Sequence, residues 1–380
     1  MKVVVQVRLL PCAAQAAALV ATLHACNAAA DNASKMAFER GVSSRNDLQK
    51  LVYGDMRAAG LGAQAAVRTV KKVVDAYASV HARIRIGSLA GPGKAKAESK
   101  AIRFREDAAQ PFDDRMLSWR YDDQTVSIWT VAGRLKGVRF AGHPAQLAML
   151  VAHRQGESDL VFRGGKWLLI ATCEVPEPEV VPPTDWIGVD RGIINLATTS
   201  DGENFQGRRL RRYRRWHARK RAELQARRTR SATRRLRRRV RREHRHVTQV
   251  NHEIAKKLVA VAQRTGRGIA LEDLSGIRDR VRPRRDQRAT HSSWPFRQLG
   301  AFIEYKAKRA GVQVITVDAR HTSQMCPRCG HTARNNRLNR DCFRCRQCGL
   351  AGPSDHVAGI NVRDRARSVW VLVNVPEPAA

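Results

Sequence analysis

Two groups of side chains in this sequence have the types and spacing to do chemistry. The first is Cys326-Pro-Arg-Cys329, followed after fifteen residues by Cys345-Arg-Gln-Cys348 and then Gly349. Four thiolates carried on two tight turns meet the tetrahedral demand of a zinc ion, and four protein ligands leave no open position, so such a zinc is structural. Cys342 is also separated from Cys345 by two residues and is an alternative ligand, but Gly349 completes the usual knuckle after Cys348 and favours that choice. The second group is Asp190, Glu272 and Asp355. Any one carboxylate at a strand end is more often a turn or cap residue than a catalyst. Three together can converge on divalent ions. Metal-assisted hydrolysis of a phosphodiester needs several carboxylates around ions roughly 3.5–4 Å apart, one side activating water and the other stabilising the leaving oxygen. Oxygen ligands suit Mg2+, with Mn2+ as the alternative.

Positioning these groups requires α/β architecture in the second half of the chain. Trp186-Ile-Gly-Val-Asp190 is an apolar strand ending in a carboxylate, a second strand runs over 193–198, and Asp201-Gly202 supplies a hairpin turn. Glu272 sits near the end of a strand over 268–274, and 312–317 (VQVITV) forms another. Between them, 247–263 and 296–310 carry apolar residues at helical spacing, the latter stopped by Gly311. The pattern predicts a mixed sheet with helices. The first half reads differently. Residues 2–10 alternate apolar and polar as a strand does, and Pro11 closes them. Residues 13–82 are Ala- and Leu-rich and lack Pro, which predicts a helical layer broken at Gly60 and Gly62; 91–98 (GPGKAKAE) reads as a polar turn. Short strands follow around Leu117, 126–131, 135–140 and 167–175, and the Pro-rich stretch 176–183 reads as a stiff linker.

Charge narrows the partner. There are 70 Lys+Arg against 34 Asp+Glu, a formal net charge of +36, and such a chain binds polyanions. Residues 207–246 alone hold 20 Lys+Arg and two Glu, so 20 − 2 gives +18, half of the total. This segment predicts a pair of long helices that contact nucleic acid, with Tyr213, Trp216 and His217 available to stack on bases. A second basic stretch, 278–288, predicts a loop beside the active site. The predominance of Arg favours phosphate over a membrane surface. No run reaches the roughly 18 consecutive apolar residues of a membrane span, and the N-terminus lacks a secretion signal. Five cysteines gathered between Cys326 and Cys348 point to metal rather than disulfides. A cytoplasmic protein, held near the nucleoid by DNA, is expected. Cys12, Cys26 and Cys173 read as small hydrophobes.

These residues together resemble the TnpB proteins and the related miniature type V CRISPR effectors. The resemblance is carried by Gly188-Val-Asp190-Arg-Gly192, Leu271-Glu272-Asp273-Leu274, His321-Thr-Ser-Gln324 with Cys326-Pro-Arg-Cys329-Gly330, Phe343-Arg-Cys345-Arg-Gln-Cys348-Gly349, and Asp355 with Ala358 and Asn361. It implies an α/β nuclease core with a RuvC or ribonuclease H-like mixed sheet over 179–323 and 351–380. A zinc ribbon over 324–350 would be inserted in that core. A β-barrel-like wedge domain (1–11 and 92–178) would be interrupted by a helical recognition domain (12–91). It makes Asp190, Glu272 and Asp355 the Mg2+-binding catalytic triad and Cys326, Cys329, Cys345 and Cys348 the ligands of one structural Zn2+. The implied activity is RNA-guided cleavage of DNA, with guide RNA and double-stranded target DNA as partners and the protein a monomer, a dimer being the alternative. Val357 stands where the family usually has Asn, and its loss would remove a hydrogen bond orienting Asp355. Two alternatives follow: a guided DNA-binding protein with weak or no cleavage, and an unguided transposase-like nuclease.

Overall fold

The computed structural model describes residues 1–277, 288 and 295–374, with side chains through 371. The expected basic loop 278–288 lies outside the described residues except for Arg288. The chain forms two compact units, Met1–Pro176 and Glu177–Ala380, and the Pro-rich stretch between 176 and 183, which spans the boundary, has no helix or strand.

The first unit is built on a seven-stranded antiparallel sheet in the order β2-β6-β7-β1-β5-β4-β3. Its strands are β1 (Lys2–Leu10), β2 (Gln110–Phe112), β3 (Leu117–Arg120), β4 (Thr125–Thr130), β5 (Gly133–Ala141), β6 (Arg154–Arg163) and β7 (Lys166–Glu174). In β1 burial alternates residue by residue, as the sequence pattern requires, with Val5, Val7 and Leu9 inward. Three helices, α1 (Ala13–Glu39), α2 (Arg45–Ala58) and α3 (Ala63–Arg85), lie between β1 and β2 in sequence and bury Leu19, Leu23, Val52, Val70 and Val73 in the same core. Each Leu so buried contributes roughly 1.5–3 kcal/mol. The stretch 91–98 departs from expectation. Pro92–Glu98 is a short helix, α4, because Pro occupies its first turn, Lys and Ala favour helix, and Lys94 pairs with Glu98 at 3.8 Å. A further helix, α5 (Pro144–His153), precedes β6.

The second unit holds a five-stranded mixed sheet, β10-β9-β8-β11-β12. Here β8 (Trp186–Asp190), β11 (Gly268–Asp273) and β12 (Val314–Asp318) are parallel, while β9 (Asn195–Thr199) and β10 (Asn204–Gln206) run antiparallel beyond β8. The basic segment becomes α6 (Arg208–Ala226) and the first half of α7 (Arg230–Arg264), which Thr229 caps by accepting the Ala232 N–H at 3.1 Å. The apolar half of α7 and α8 (Phe296–Ala310) cover one face of the sheet through Ile254, Leu258, Leu299 and Ile303. A last helix, α9 (Ser354–Asn374), contributes Val362, Ala366 and Trp370 to a second cluster with Trp186 and Ala270. It lies so close to β8 that a Cβ at Gly188 would meet the Gly359 carbonyl oxygen at 2.1 Å. Only glycine fits there, so the glycine two residues before Asp190 is a packing requirement. No helix among the described residues is long and apolar enough to cross a membrane.

Candidate active site

Because β8 and β11 are parallel and in register, with Leu271 opposite Val189, Asp190 and Glu272 emerge side by side at the same edge of the sheet. Asp355 arrives from a third direction in the first turn of α9, where the positive helix end favours a carboxylate. Asp190 feels the charges of both other acids. Burial first, then the charges of Glu272 and Asp355, lifts the Asp190 carboxyl well above the usual carboxylate range, and it hydrogen bonds with Glu272. Burial also raises Glu272, against the opposing pull of the Thr322 hydroxyl and the Arg191 guanidinium.

Two of the acids have anchors outside the triad. Thr322 Oγ1 donates to Glu272 Oε1 at 2.6 Å. Arg191, itself buried, donates to the Glu272 backbone carbonyl and to that of Phe296 at 3.4 Å. Asn195 Nδ2 donates to Asp355 Oδ2 at 2.8 Å, and Arg337 lies 3.5 Å from Oδ1. An orienting hydrogen bond to Asp355 comes from Asn195 on β9, while Val357 packs in an apolar cluster. It is 4% exposed and packs among Cys326, Phe343 and Cys345. Asn195, Thr322 and Arg337 were not assigned roles from sequence. Thr322 belongs to the His321-Thr-Ser-Gln324 motif, whereas Asn195 and Arg337 carry no local signal.

A cleft of about 640 Å³ opens beside Asp355, lined by Asn204, Gln206, Arg208, Arg211 and Arg340 among others. The buried Thr198 hydroxyl on its wall has no hydrogen-bond partner. Cations and amides at the mouth of an acidic site suit a phosphodiester chain better than an apolar ligand.

The four cysteines converge. Their Sγ atoms all lie within 4.8 Å of one another, with Cys326–Cys348 and Cys329–Cys345 at 3.5 Å. A tetrahedron with zinc–sulfur bonds of about 2.3 Å has edges near 3.8 Å, so the thiols fit zinc. Burial works to raise the Cys345 thiol, but the backbone N–H groups of Cys348 and Gln347 and the neighbouring thiols outweigh it and bring it down to about 6. Cys342 on β13 (Cys342–Arg344), which pairs with β14 (Ala351–Pro353), is exposed and outside this group.

On the basic hairpin, the Tyr213 ring meets those of His217 and His246 in tilted contacts, each at 4.4 Å between centroids. His217 is fully buried, so stacking on bases is ruled out for this ring: it fills the seam between α6 and α7. Trp216 remains 40% exposed, with the Arg239 guanidinium 4.5 Å above its ring.

Carboxylates on a mixed sheet beside a four-cysteine ribbon define a class, and comparison with known proteins narrows it. Residues 171–275 match the family described as "Probable transposase", and 296–362 match the Cas12f1-like TNB domain. Over 113 residues the chain is 37% identical to the CRISPR-associated endodeoxyribonuclease Cas12f1 of Sulfoacidibacillus thermotolerans, covering 30% of this chain and 25% of that protein. Over 128 residues it is 34% identical to a TnpB-like protein of Methanocaldococcus jannaschii, covering 33% of this chain and 45% of the relative. A cryo-EM structure of a Cas12f1–sgRNA–target DNA complex superposes with a TM-score of 0.56 at 13% identity, covering 91% of this chain and 82% of that one, and so shares the fold. Over these segments the chain is similar to TnpB-like proteins and to the miniature Cas12f1 endonucleases. It spans between a quarter and about half of the length of its curated relatives.

Proposed function

We propose that this protein is an RNA-guided DNA endonuclease that cuts by divalent-metal-dependent hydrolysis. The observation that carries the reading is the convergence of Asp190, Glu272 and Asp355 from three separate elements onto one edge of the sheet, where burial and the neighbouring acids raise the Asp190 carboxyl. Buried carboxylates in mutual repulsion are a fit for divalent cations, which remove the repulsion. Asp190, Glu272 and Asp355 would hold Mg2+, and Mn2+ would substitute. When bound, the ions supply Lewis-acid activation of the phosphate and of the attacking water. The chain's own residues then do the positioning. Asn195 and Thr322 fix two of the carboxylates, and Arg337 brings a cation beside Asp355. Arg208, Arg211 and Arg340 line the cleft by which a strand would reach them.

In this reading 179–323 and 351–380 are the RuvC-like nuclease, and 324–350 a ribbon holding one structural Zn2+. Residues 1–11 and 92–178 are the wedge and 12–91 the recognition domain, acting as a monomer on guide RNA and double-stranded DNA. Relatives named as endodeoxyribonucleases support the cleavage part, and the likeness to a guide-bound fold is consistent with it. The hydrogen bond of Asn195 to Asp355 supports cleavage over the binding-only alternative.

The test uses the protein expressed with its own flanking DNA and the RNA that copurifies. Asp190→Ala or Glu272→Ala should reduce target cleavage to background while guide and target binding stay within about twofold. Binding lost in parallel with cleavage would overturn these roles. Absence of a discrete RNA would instead favour an unguided nuclease.

A further inference from the structure

We infer that Thr322 is the positioning residue of Glu272, and that the cysteine ribbon determines where Thr322 stands. The inference rests on the reading of Glu272 as a metal ligand. Thr322 is buried, and its single hydroxyl proton has two acceptors within reach, Glu272 Oε1 at 2.6 Å and the Ala319 carbonyl at 3.1 Å. An ionised carboxylate at the shorter distance takes it, since charge-assisted hydrogen bonds are the stronger ones. The terminal torsion of a Glu side chain is broad. Without that bond Oε1 loses its donor from the ribbon side, and only the contact with Asp190 restrains the carboxylate's rotation.

What holds Thr322 is a single side-chain amide. Asn361 Nδ2 donates to the Thr322 carbonyl at 2.6 Å and to the Met325 carbonyl at 2.8 Å. Asn361 is fully buried on α9, the helix that also carries Asp355. Met325 pairs with Thr332 across the first cysteine turn and directly precedes Cys326. His321, the residue before Thr322, adopts φ 62°, a left-handed conformation unusual for a side chain with Cβ, and its carbonyl accepts the Gln324 and Met325 N–H groups, both at 2.9 Å. The turn that aims the hydroxyl at Glu272 is thus the turn that begins the ribbon. Asn361 ties both to the helix of Asp355, so a disturbance at the cysteines reaches two of the three acids.

The experiment measures Mn2+ binding to the full chain by calorimetry, alongside cleavage at varied Mg2+. Thr322→Val preserves shape and removes the donor. It should weaken Mn2+ binding, and raise the Mg2+ needed for half-maximal cleavage, by about 10–100-fold, the usual effect of losing a partner that orients a metal ligand, with zinc content and melting temperature unchanged. Thr322→Ser restores the donor and should return both to near wild-type. If Val disturbs folding, Thr322→Ala replaces it. Glu272→Gln separates the two ideas. If it abolishes Mn2+ binding while the donor-free variants bind as wild-type, the role of Thr322 is wrong. If Glu272→Gln itself binds Mn2+ normally, the reading of Glu272 as a ligand is wrong. A Ser variant as impaired as the Val variant would likewise overturn the hydroxyl's role.

Discussion

The raised carboxyl of Asp190 gives the site a pH signature. Burial and the charges of Glu272 and Asp355 raise this carboxyl well above its usual range, so the folded chain retains a proton that the unfolded chain has lost. The stability linked to that proton is complete below the ordinary carboxylate pKa, about 4, and is lost as pH rises through the folded-state value. The metal-free protein should therefore melt at a lower temperature at pH 8 than at mildly acidic pH. Asp190→Asn should flatten this dependence and raise the pH 8 melting temperature, by about 2–4 °C for each kcal/mol of repulsion removed. A melting curve independent of both pH and this substitution would show the acids are not coupled. Val357 supplies a second residue-scale expectation. Because its side chain lies against Cys326, Phe343 and Cys345, Val357→Asn should not speed cleavage, and burying an amide there should cost about 1–3 kcal/mol of stability, measurable by denaturant unfolding.

At the scale of elements, the ribbon and α9 act together. Cys326, Phe343, Cys345 and Val357 form one cluster, so the cysteine turns are packed onto the helix that bears Asp355. Cys345→Ser should release zinc and lower the melting temperature by several degrees, because a tetrahedral site with a thiolate missing loses much of its folding free energy. Cys342→Ser, at an exposed thiol outside the group, should retain zinc and stability. Zinc analysis and calorimetry on both variants decide the ligand set. Parallel pairing of β8 and β11 has a similar role on the other side, since it brings Asp190 and Glu272 to adjacent strand ends from positions far apart in the chain.

For the molecule as a whole, the proposed nucleic-acid partners would be held by charge. With a net charge of +36, binding should weaken steeply with salt, each phosphate contact contributing a slope of about −0.9 on duplex DNA or −0.7 on a single strand. A groove between α6 and α7 is lined by Lys220, Arg227, Arg235, Arg238, Arg239 and Arg242, with Glu223 engaged by Lys220 at 2.8 Å. Replacing Arg235, Arg238 and Arg242 by Ala should reduce the slope of log Kd against log salt by about two to three, and lower affinity for all sequences alike. An unchanged slope would show that this groove faces solvent in the complex. Arg214 and Arg221 are different, because they flank the buried Glu243 in the hairpin's seam; part of the charge counted in the sequence is structural.

What the sequence determined by itself was whatever depends on near neighbours: the alternation that makes Lys2–Leu10 a strand, the cysteine spacing, the carboxylates at strand ends, the basic hairpin. It did less well where local pattern is thin. Gln110–Phe112 is too short to show a period, and Arg154–Arg163 is interrupted by a register shift between Arg154 and Ser158. His217 looked available because charge and helical spacing do not say which face another helix will cover. Only the tertiary structure decided the partners of the acids. Asn195 meets Asp355 across 160 residues, Thr322 meets Glu272 across 50, and Arg337 meets Asp355 across 18. Such pairs are fixed by which strands lie parallel and which helix end faces the sheet. A hydrogen bond reaches only about 3 Å, so no one-dimensional pattern specifies its partner before the fold has brought the two atoms together.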